Sequence, residues 1–304
     1  MKVSVIMLTH NRENFVGRMI DCVLAQDFDD FEFIIVDNGS ADRSGEIADE
    51  YAGRDERVRV IHRKGSNIGA GRNAGLDAAN GDFIAFVDDD DTCAPDYLAF
   101  LYGLATENEA DVAICGATWA DIDEKRLMDA EEALLLLLWR KHYNVAFPTK
   151  MFRREIFDHL RFDEKSKYDD IYLMPKALAA AKRIAYHGLS KYHFERHETN
   201  NSAWTQHHEL LDAATLEEYL KVYDDRTRWL CERFPDRCIE WNYFNWSFMI
   251  SMVEKVRRLH LAGCGEICRK METKLSLYQD EFIQSPFLQD FEREWMEKYI
   301  LMGG

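Results

Sequence analysis

Apolar and polar positions divide the chain at about residue 205. Upstream, short β-branched and aromatic runs at 3–9, 31–37, 58–62 and 83–88 alternate with amphipathic stretches at 13–26, 42–51 and 70–79. The runs show almost no polar alternation, which marks strands covered by helices on both faces, so the pattern predicts a parallel α/β sheet. A helix after Pro95 through 105 and a strand at 111–118 extend it. A helix at 130–139 follows, then a short strand and two helices within 146–181, and a strand at 183–187. The leucine block of 130–139 reads as core rather than a membrane contact. From 209 to 299 only helical periodicity is visible, with breaks near Pro235, 263–265 and Pro286, which predicts a helical C-terminal extension.

Polar residues gather where the predicted strands end: Thr9-His10-Asn11, Asp37-Asn38-Gly39-Ser40, and Asp88-Asp89-Asp90-Asp91. Open parallel sheets bind ligands at the carboxyl ends of their strands, so these clusters are expected to converge. Four consecutive aspartates crowd like charges, which solvent, protonation or a cation must relieve. If the strand continued, Asp88 and Asp90 would point the same way and address one ligand. A carboxylate at Asp37 can accept hydrogen bonds from ribose hydroxyls or a base N–H, or cap the turn that follows it.

With 38 Lys and Arg against 55 Asp and Glu, the 304-residue chain carries a formal charge of -17, which argues against nonspecific nucleic-acid binding. At 47% hydrophobic and 31% charged residues with 5 prolines, it falls outside the disordered and low-complexity classes. No apolar leader or spanning segment is read at the N-terminus, so the expectation is a soluble, cytoplasmic protein. Seven cysteines without a CxxC pair fit reduced thiols; Cys264 and Cys268, one helical turn apart, read as buried thiols rather than a metal pair. Gly65, Gly69 and Gly71 with Tyr172 and Lys176 mimic a nicotinamide dehydrogenase, but that family's glycine turn follows the first strand. Here three strands precede it, and the dehydrogenase reading is set aside.

The segments 3–12, 34–40, 67–75 and 86–91, in this order and spacing, resemble the family 2 glycosyltransferases of the GT-A fold. The resemblance continues more weakly through 150–157, 168–172 and 192–198 and covers about two thirds of the chain. It implies an α/β GT-A nucleotide-diphospho-sugar transferase fold, a mostly parallel sheet flanked by helices. Residues 1–204 would form the catalytic domain, with 1–95 as the nucleotide-sugar half and 96–204 as the acceptor half, and 205–304 the helical extension.

The resemblance also implies roles for individual residues. Thr9, Asn11 and Asp37 would bind the nucleobase, usually uracil, and Asn67, Gly69 and Arg72 would pack over the nucleotide. Asp88-Asp89-Asp90 maps to the DxD motif, with Asp88 on ribose and Asp90 on the metal; Asp91 fits the further acid after it. The metal would be Mg²⁺ or Mn²⁺, a hard cation between carboxylate and phosphate oxygens. The acid pair Asp169-Asp170 would supply the general base, Asp170, although the family usually has Glu at the first position. The helix N-terminus lowers the pKa of Asp170 while Asp169 raises it. His197, with His193 competing, would lie near the diphosphate.

The implied activity is inverting, metal-dependent transfer from a nucleotide sugar, UDP-linked, to a glycan or lipid-linked acceptor in surface-polysaccharide synthesis. The rival is an inactive subunit that binds nucleotide sugar or glycan without turnover. Aromatic residues on nearly every face of 241–252 predict packing as core or as a homodimer contact, with any membrane association peripheral.

Overall fold

The computed structural model describes residues 1–65, 67–117, 121–166, 168–195 and 207–301. The chain divides into two compact units, Met1–Glu195 and Arg196–Gly304. The expected boundary at 204 falls among 196–206, outside the described residues.

In the N-terminal unit the order is β1 (Val3–Thr9), α1 (Val16–Leu24), β2 (Phe31–Asp37), α2 (Ser44–Ala52), β3 (Val58–His62), α3 (Ile68–Ala78) and β4 (Phe83–Asp88). Then come β5 (Thr92–Cys93), α4 (Tyr97–Glu107), β6 (Val112–Ala117), β7 (Lys125–Met128), α5 (Ala130–Trp139), β8 (Lys150–Arg153), α6 (Asp169–Ala180) and β9 (Ile184–His193). Among the described residues nine strands form one sheet in the order β3-β2-β1-β4-β8-β6-β9-β5, with β7 pairing β9. β1, β2, β3 and β4 pair in parallel, whereas β8 enters antiparallel between β4 and β6.

The continuous apolar runs are buried on both faces, as the pattern requires. On one face Val3, Val5, Met7, Phe33 and Ile35 pack against Met19, Ile20 and Val23 of α1 and Leu98 and Leu101 of α4. Burying a side chain of this size contributes roughly 1.5–3 kcal/mol, so this layer is the dominant stabilising element. On the other face α3 lies unusually close. A Cβ added at Gly71 would sit 2.3 Å from Leu8 Cδ1, which explains the glycine spacing as helix-on-sheet packing rather than a pyrophosphate turn.

Two helix assignments needed tertiary context. α1 begins at Val16 rather than 13, because 12–15 form a turn. α6 carries Pro175 in its interior, where a buried side chain retains the helix against the lost hydrogen bond.

The C-terminal unit is helical, as the periodicity predicts: α7 (Ala213–Arg233), α8 (Cys238–Leu259), α9 (Gly265–Leu277), α10 (Gln279–Ile283) and α11 (Asp290–Met296). Trp241, Tyr243, Phe244, Trp246, Met249 and Met252 are buried, and Phe248 stacks on Tyr223 at 3.9 Å. The cations that follow are engaged: Arg257 pairs with Glu272 and Arg258 with Glu254. The aromatic helix is therefore core. Among the described residues no helix is long and apolar enough to cross a membrane. One expectation needs correction. Cys231 and Cys238 are joined as a disulfide, because the 235–237 turn folds the start of α8 back on the end of α7. Cys264 and Cys268 are buried free thiols.

Candidate active site

Sheet register sets the first group of residues. Thr9 lies opposite Asp37 across the β1–β2 pairing, and Leu8 lies opposite Asp88 across β1–β4, so three strand ends meet at one edge. Asp37 is 7% exposed. Its Oδ1 accepts the Ser40 N–H at 3.0 Å, and its Oδ2 lies 3.0 Å from His62 Nδ1, whose Nε2 reaches Asp49. Burial would raise its pKa, but the hydrogen bonds from His62 and Ser40 outweigh that and hold the carboxyl below its ordinary range. Asp37 is therefore a fixed, ionised acceptor. Thr9 is buried, and its hydroxyl faces Asp89, whose ionised form it favours. Asn11, at a φ of 55°, ties two loops together: its Oδ1 accepts the Ala41 N–H at 2.8 Å and its own N–H bonds Ser40 Oγ.

β4 ends at Asp88 and a turn follows, so strand alternation does not continue to Asp90. Asp89 and Asp90 instead share one guanidinium, with Arg12 Nε 3.8 Å from Asp89 and its Nη2 3.9 Å from Asp90. Arg18 Nη2 donates to the Asp90 carbonyl at 2.6 Å. Tyr192 of β9 accepts the Asp88 N–H at 3.0 Å, and Asp91 accepts the Glu195 N–H at 2.8 Å. Burial raises Asp88 to about 6, with Arg72 opposing and Asp90 adding to the rise. Burial also lifts Asp89 to about 7 and Asp91 to about 8, the latter reinforced by Asp88. The run is a concentration of carboxylates that two guanidinium groups only partly neutralise.

The second of those groups, Arg72 of α3, links the two halves of the unit. Its Nη1 lies 3.0 Å from Asp169 and its Nη2 3.9 Å from Asp88, and its guanidinium stacks 5.2 Å over the Phe162 ring. Asp169 is 2% exposed, and its Oδ2 has no hydrogen-bond partner. Burial raises its carboxyl to about 6 against the pull of Arg72. Asp170 stands beside it in the first turn of α6, with Oδ1 accepting the Ile171 N–H at 2.8 Å. Its pKa is raised by burial, with Arg72 opposing. The opposing effects expected from the helix terminus and Asp169 are thus outweighed by desolvation.

Asn67 and Gly69 hold the neighbouring loop. Asn67 Oδ1 caps α3 through Ala70 N–H at 2.7 Å, and its Nδ2 donates to the Glu164 carbonyl. A Cβ at Gly69 would fall 2.4 Å from the Asp163 carbonyl oxygen, so this glycine admits backbone. His197 lies outside the described residues, and His193 is placed in β9 opposite Thr92. Arg12, Arg18 and Tyr192 carried no site expectation. Arg12 stood in the polar segment after β1, which was a usable signal; the other two act through contacts 72 and 104 residues apart in sequence.

The donor set fits a hard divalent cation. Burial, with neighbouring aspartates adding to it, holds the carboxyls of Asp88, Asp89 and Asp91 above their ordinary range, a state that a bound cation relieves. Among the described residues no three His, Cys, Asp or Glu side chains form a ready-made cage. Asp90 would hold the ion, with remaining ligands from outside the chain.

The sheet, its flanking helices and this acidic edge define the GT-A fold. Two solved structures share it. Staphylococcus aureus TarS residues 1–349 in complex with UDP-GlcNAc aligns at a TM-score of 0.63 and 18% identity, covering 98% of this chain and 91% of that one. The mannosyltransferase PcManGT from Pyrobaculum calidifontis, in complex with GDP-Man and Mn²⁺, aligns at 0.59 and 15% identity, covering 99% and 85%. Residues 4–161 match the model of glycosyl transferase family 2, and the chain belongs to that family. The uncharacterized glycosyltransferase EpsJ of Bacillus subtilis is 34% identical over 197 residues, 60% of this chain and 57% of the relative. The chain spans 36% to 61% of the length of three such relatives.

Proposed function

We propose that the protein is an inverting glycosyltransferase that moves a sugar from a UDP-linked donor to a glycan or lipid-linked acceptor in bacterial surface-polysaccharide synthesis. The observation that carries this reading is the meeting of Thr9, Asp37 and Asp88 at the strand ends, with Asp89 and Asp90 held by Arg12 and Asp88 and Asp169 by Arg72. Residues 1–95 hold the donor and 96–204 the acceptor. Asp37, kept ionised by His62 and Ser40, accepts the N–H of the base, with Thr9 and Asn11 shaping that end. Asp88, at the end of β4, meets the ribose. Asp90 holds Mg²⁺ or Mn²⁺, which when bound supplies neutralising charge for the departing diphosphate.

Asp170 takes the proton of the acceptor hydroxyl as its oxygen attacks the anomeric carbon from the face opposite the diphosphate. Burial raises its affinity for that proton, and the positive charge of Arg72 opposes that rise. Arg72 and Asp169 are positioning residues, since their ion pair fixes the start of α6 against α3. A UDP-binding but inactive subunit would keep the donor groups and lose the need for Asp170. The test is a screen of nucleotide sugars for metal-dependent hydrolysis, repeated with Asp170→Asn. Hydrolysis by the wild type and its loss in the variant are expected. Binding of UDP without turnover of any donor would favour the inactive reading.

A further inference from the structure

Beside the acidic run, α1 carries chemistry that sugar transfer does not use. Cys22 on α1 and Cys93 on β5 are 71 positions apart, yet their sulfurs lie 3.3 Å from one another. Cys22 Sγ accepts the Cys93 N–H at 3.2 Å. Just past the C-terminal end of that helix, Gln26 Nε2 donates to Cys93 Sγ at 3.4 Å and to the Ala94 carbonyl at 2.8 Å. One turn before Cys22, Arg18 holds the Asp90 carbonyl. Arg18 and Cys22 of α1 and Gln26 just after it thus grip 90–94, with the two thiols at the centre.

The two sulfurs have different surroundings. Cys22 is half-buried, and Cys93 is 8% exposed. The Cys93 hydrogen bond lowers the Cys22 thiol to about 6 despite burial, with the Arg18 charge helping. The same bond and burial push Cys93 up. Cys22, which also lies 3.2 Å from the Cys93 carbonyl, is the half-buried sulfur that gives up its proton more readily, and the one touching it holds its own more tightly. The remaining free thiols lack this arrangement: Cys115, Cys264 and Cys268 are buried, and burial raises each of them.

We propose that Cys22 and Cys93 form a reversible oxidation site for hydrogen peroxide and small hydroperoxides. Cys22 Sγ attacks one peroxide oxygen and the O–O bond breaks, leaving Cys22 sulfenic acid and a hydroxide or alkoxide that takes up a proton. Cys93 Sγ then attacks the Cys22 sulfur; its proton leaves with the departing hydroxyl as water, and a Cys22–Cys93 disulfide remains. The thiol pair loses two electrons, and the peroxide gains them. Closing from 3.3 Å to a bond of about 2.05 Å requires a movement of roughly 1.2 Å. The product ties α1 to the residues that follow Asp88–Asp91, and a dithiol reductant releases it.

The test treats the full-length protein with a small molar excess of hydrogen peroxide, blocks free thiols, and maps peptides without reduction. The expected product is a linked Cys22–Cys93 peptide pair, lighter by two hydrogens and separated by dithiothreitol. Cys115, Cys264 and Cys268 should be alkylated only after unfolding. Cys93→Ser should stop at a sulfenic acid on Cys22, captured by dimedone; the wild-type map stands alone if that variant does not fold. Recovery of Cys22 as a free thiol under conditions that oxidise glutathione would overturn the proposal. Conversion of Cys22 to sulfinic acid with Cys93 untouched in the wild type would overturn it too.

Discussion

Residues 1–95 bring Thr9, Asp37 and Asp88 to the site on the ends of parallel strands, whereas 96–195 bring Asp169 and Asp170 on a helix N-terminus and Tyr192 on a strand of the mixed region. Hydrogen-bonded register positions the first group, with His62 at Asp37 and the more distant Arg72 at Asp88 as added partners. The second group is held by one guanidinium, with Asp169 buried against Arg72. The donor side is therefore built as scaffold and the acceptor side as an ion-pair clamp, and losing one charge should affect them unequally.

Arg72→Gln breaks the clamp most severely because it leaves a buried carboxylate without its partner. The expected cost is about 3–5 kcal/mol of stability by urea denaturation. Asp37→Asn, on the scaffold side, should cost about 1 kcal/mol, the scale of an ordinary hydrogen bond. Equal losses in the two variants would contradict the comparison.

Chemistry should separate along the same line. Asp170→Asn is expected to lower transfer by about 10² or more while leaving UDP affinity nearly intact, the scale of a lost general base. Asp37→Ala should instead weaken UDP binding about tenfold, the scale of a lost charge-assisted hydrogen bond, with little change in turnover of bound donor. Calorimetry and a saturating-donor assay distinguish the two; an unchanged rate in Asp170→Asn would move the base to Asp169.

A further difference concerns pH. Asp91, lifted from 3.8 to about 8, stays protonated in the metal-free folded protein where the unfolded chain has already released its proton. The folded state binds more protons in that window, so this group's contribution to stability falls as pH rises from about 4 to about 8 and then levels off. Lys150, fully buried and lowered by desolvation to about 7, acts oppositely above that value. Asp91→Asn isolates this contribution: its Tm should fall less steeply with pH over the window than that of the wild type, and Mn²⁺ should narrow the difference.

Much of the donor side was legible because continuous apolar runs fix strand positions and the polar residue after each run must emerge at the sheet edge. Asp37 and Asp88 follow from that alone. Strand β8 has four residues, too few for a periodic signal, so the antiparallel insertion between β4 and β6 was not. The pairing of Arg72 with Asp169 spans 97 positions, and Arg12 faces Asp89 and Asp90 only because the strand stops at Asp88. The disulfide of Cys231 and Cys238 depends on how tightly the turn between two helices closes, which helical periodicity does not specify.

The central claim, that the acidic edge holds a nucleotide diphosphate through a cation, is tested most directly by calorimetric titration of UDP into the protein with Mn²⁺ and again with excess chelator. Measurable binding with the cation and at least a tenfold loss without it, about 1.4 kcal/mol, are expected, since Asp88 and Asp90 then confront the diphosphate unshielded. Equal affinity in both titrations would contradict it and remove Asp90 from the metal role.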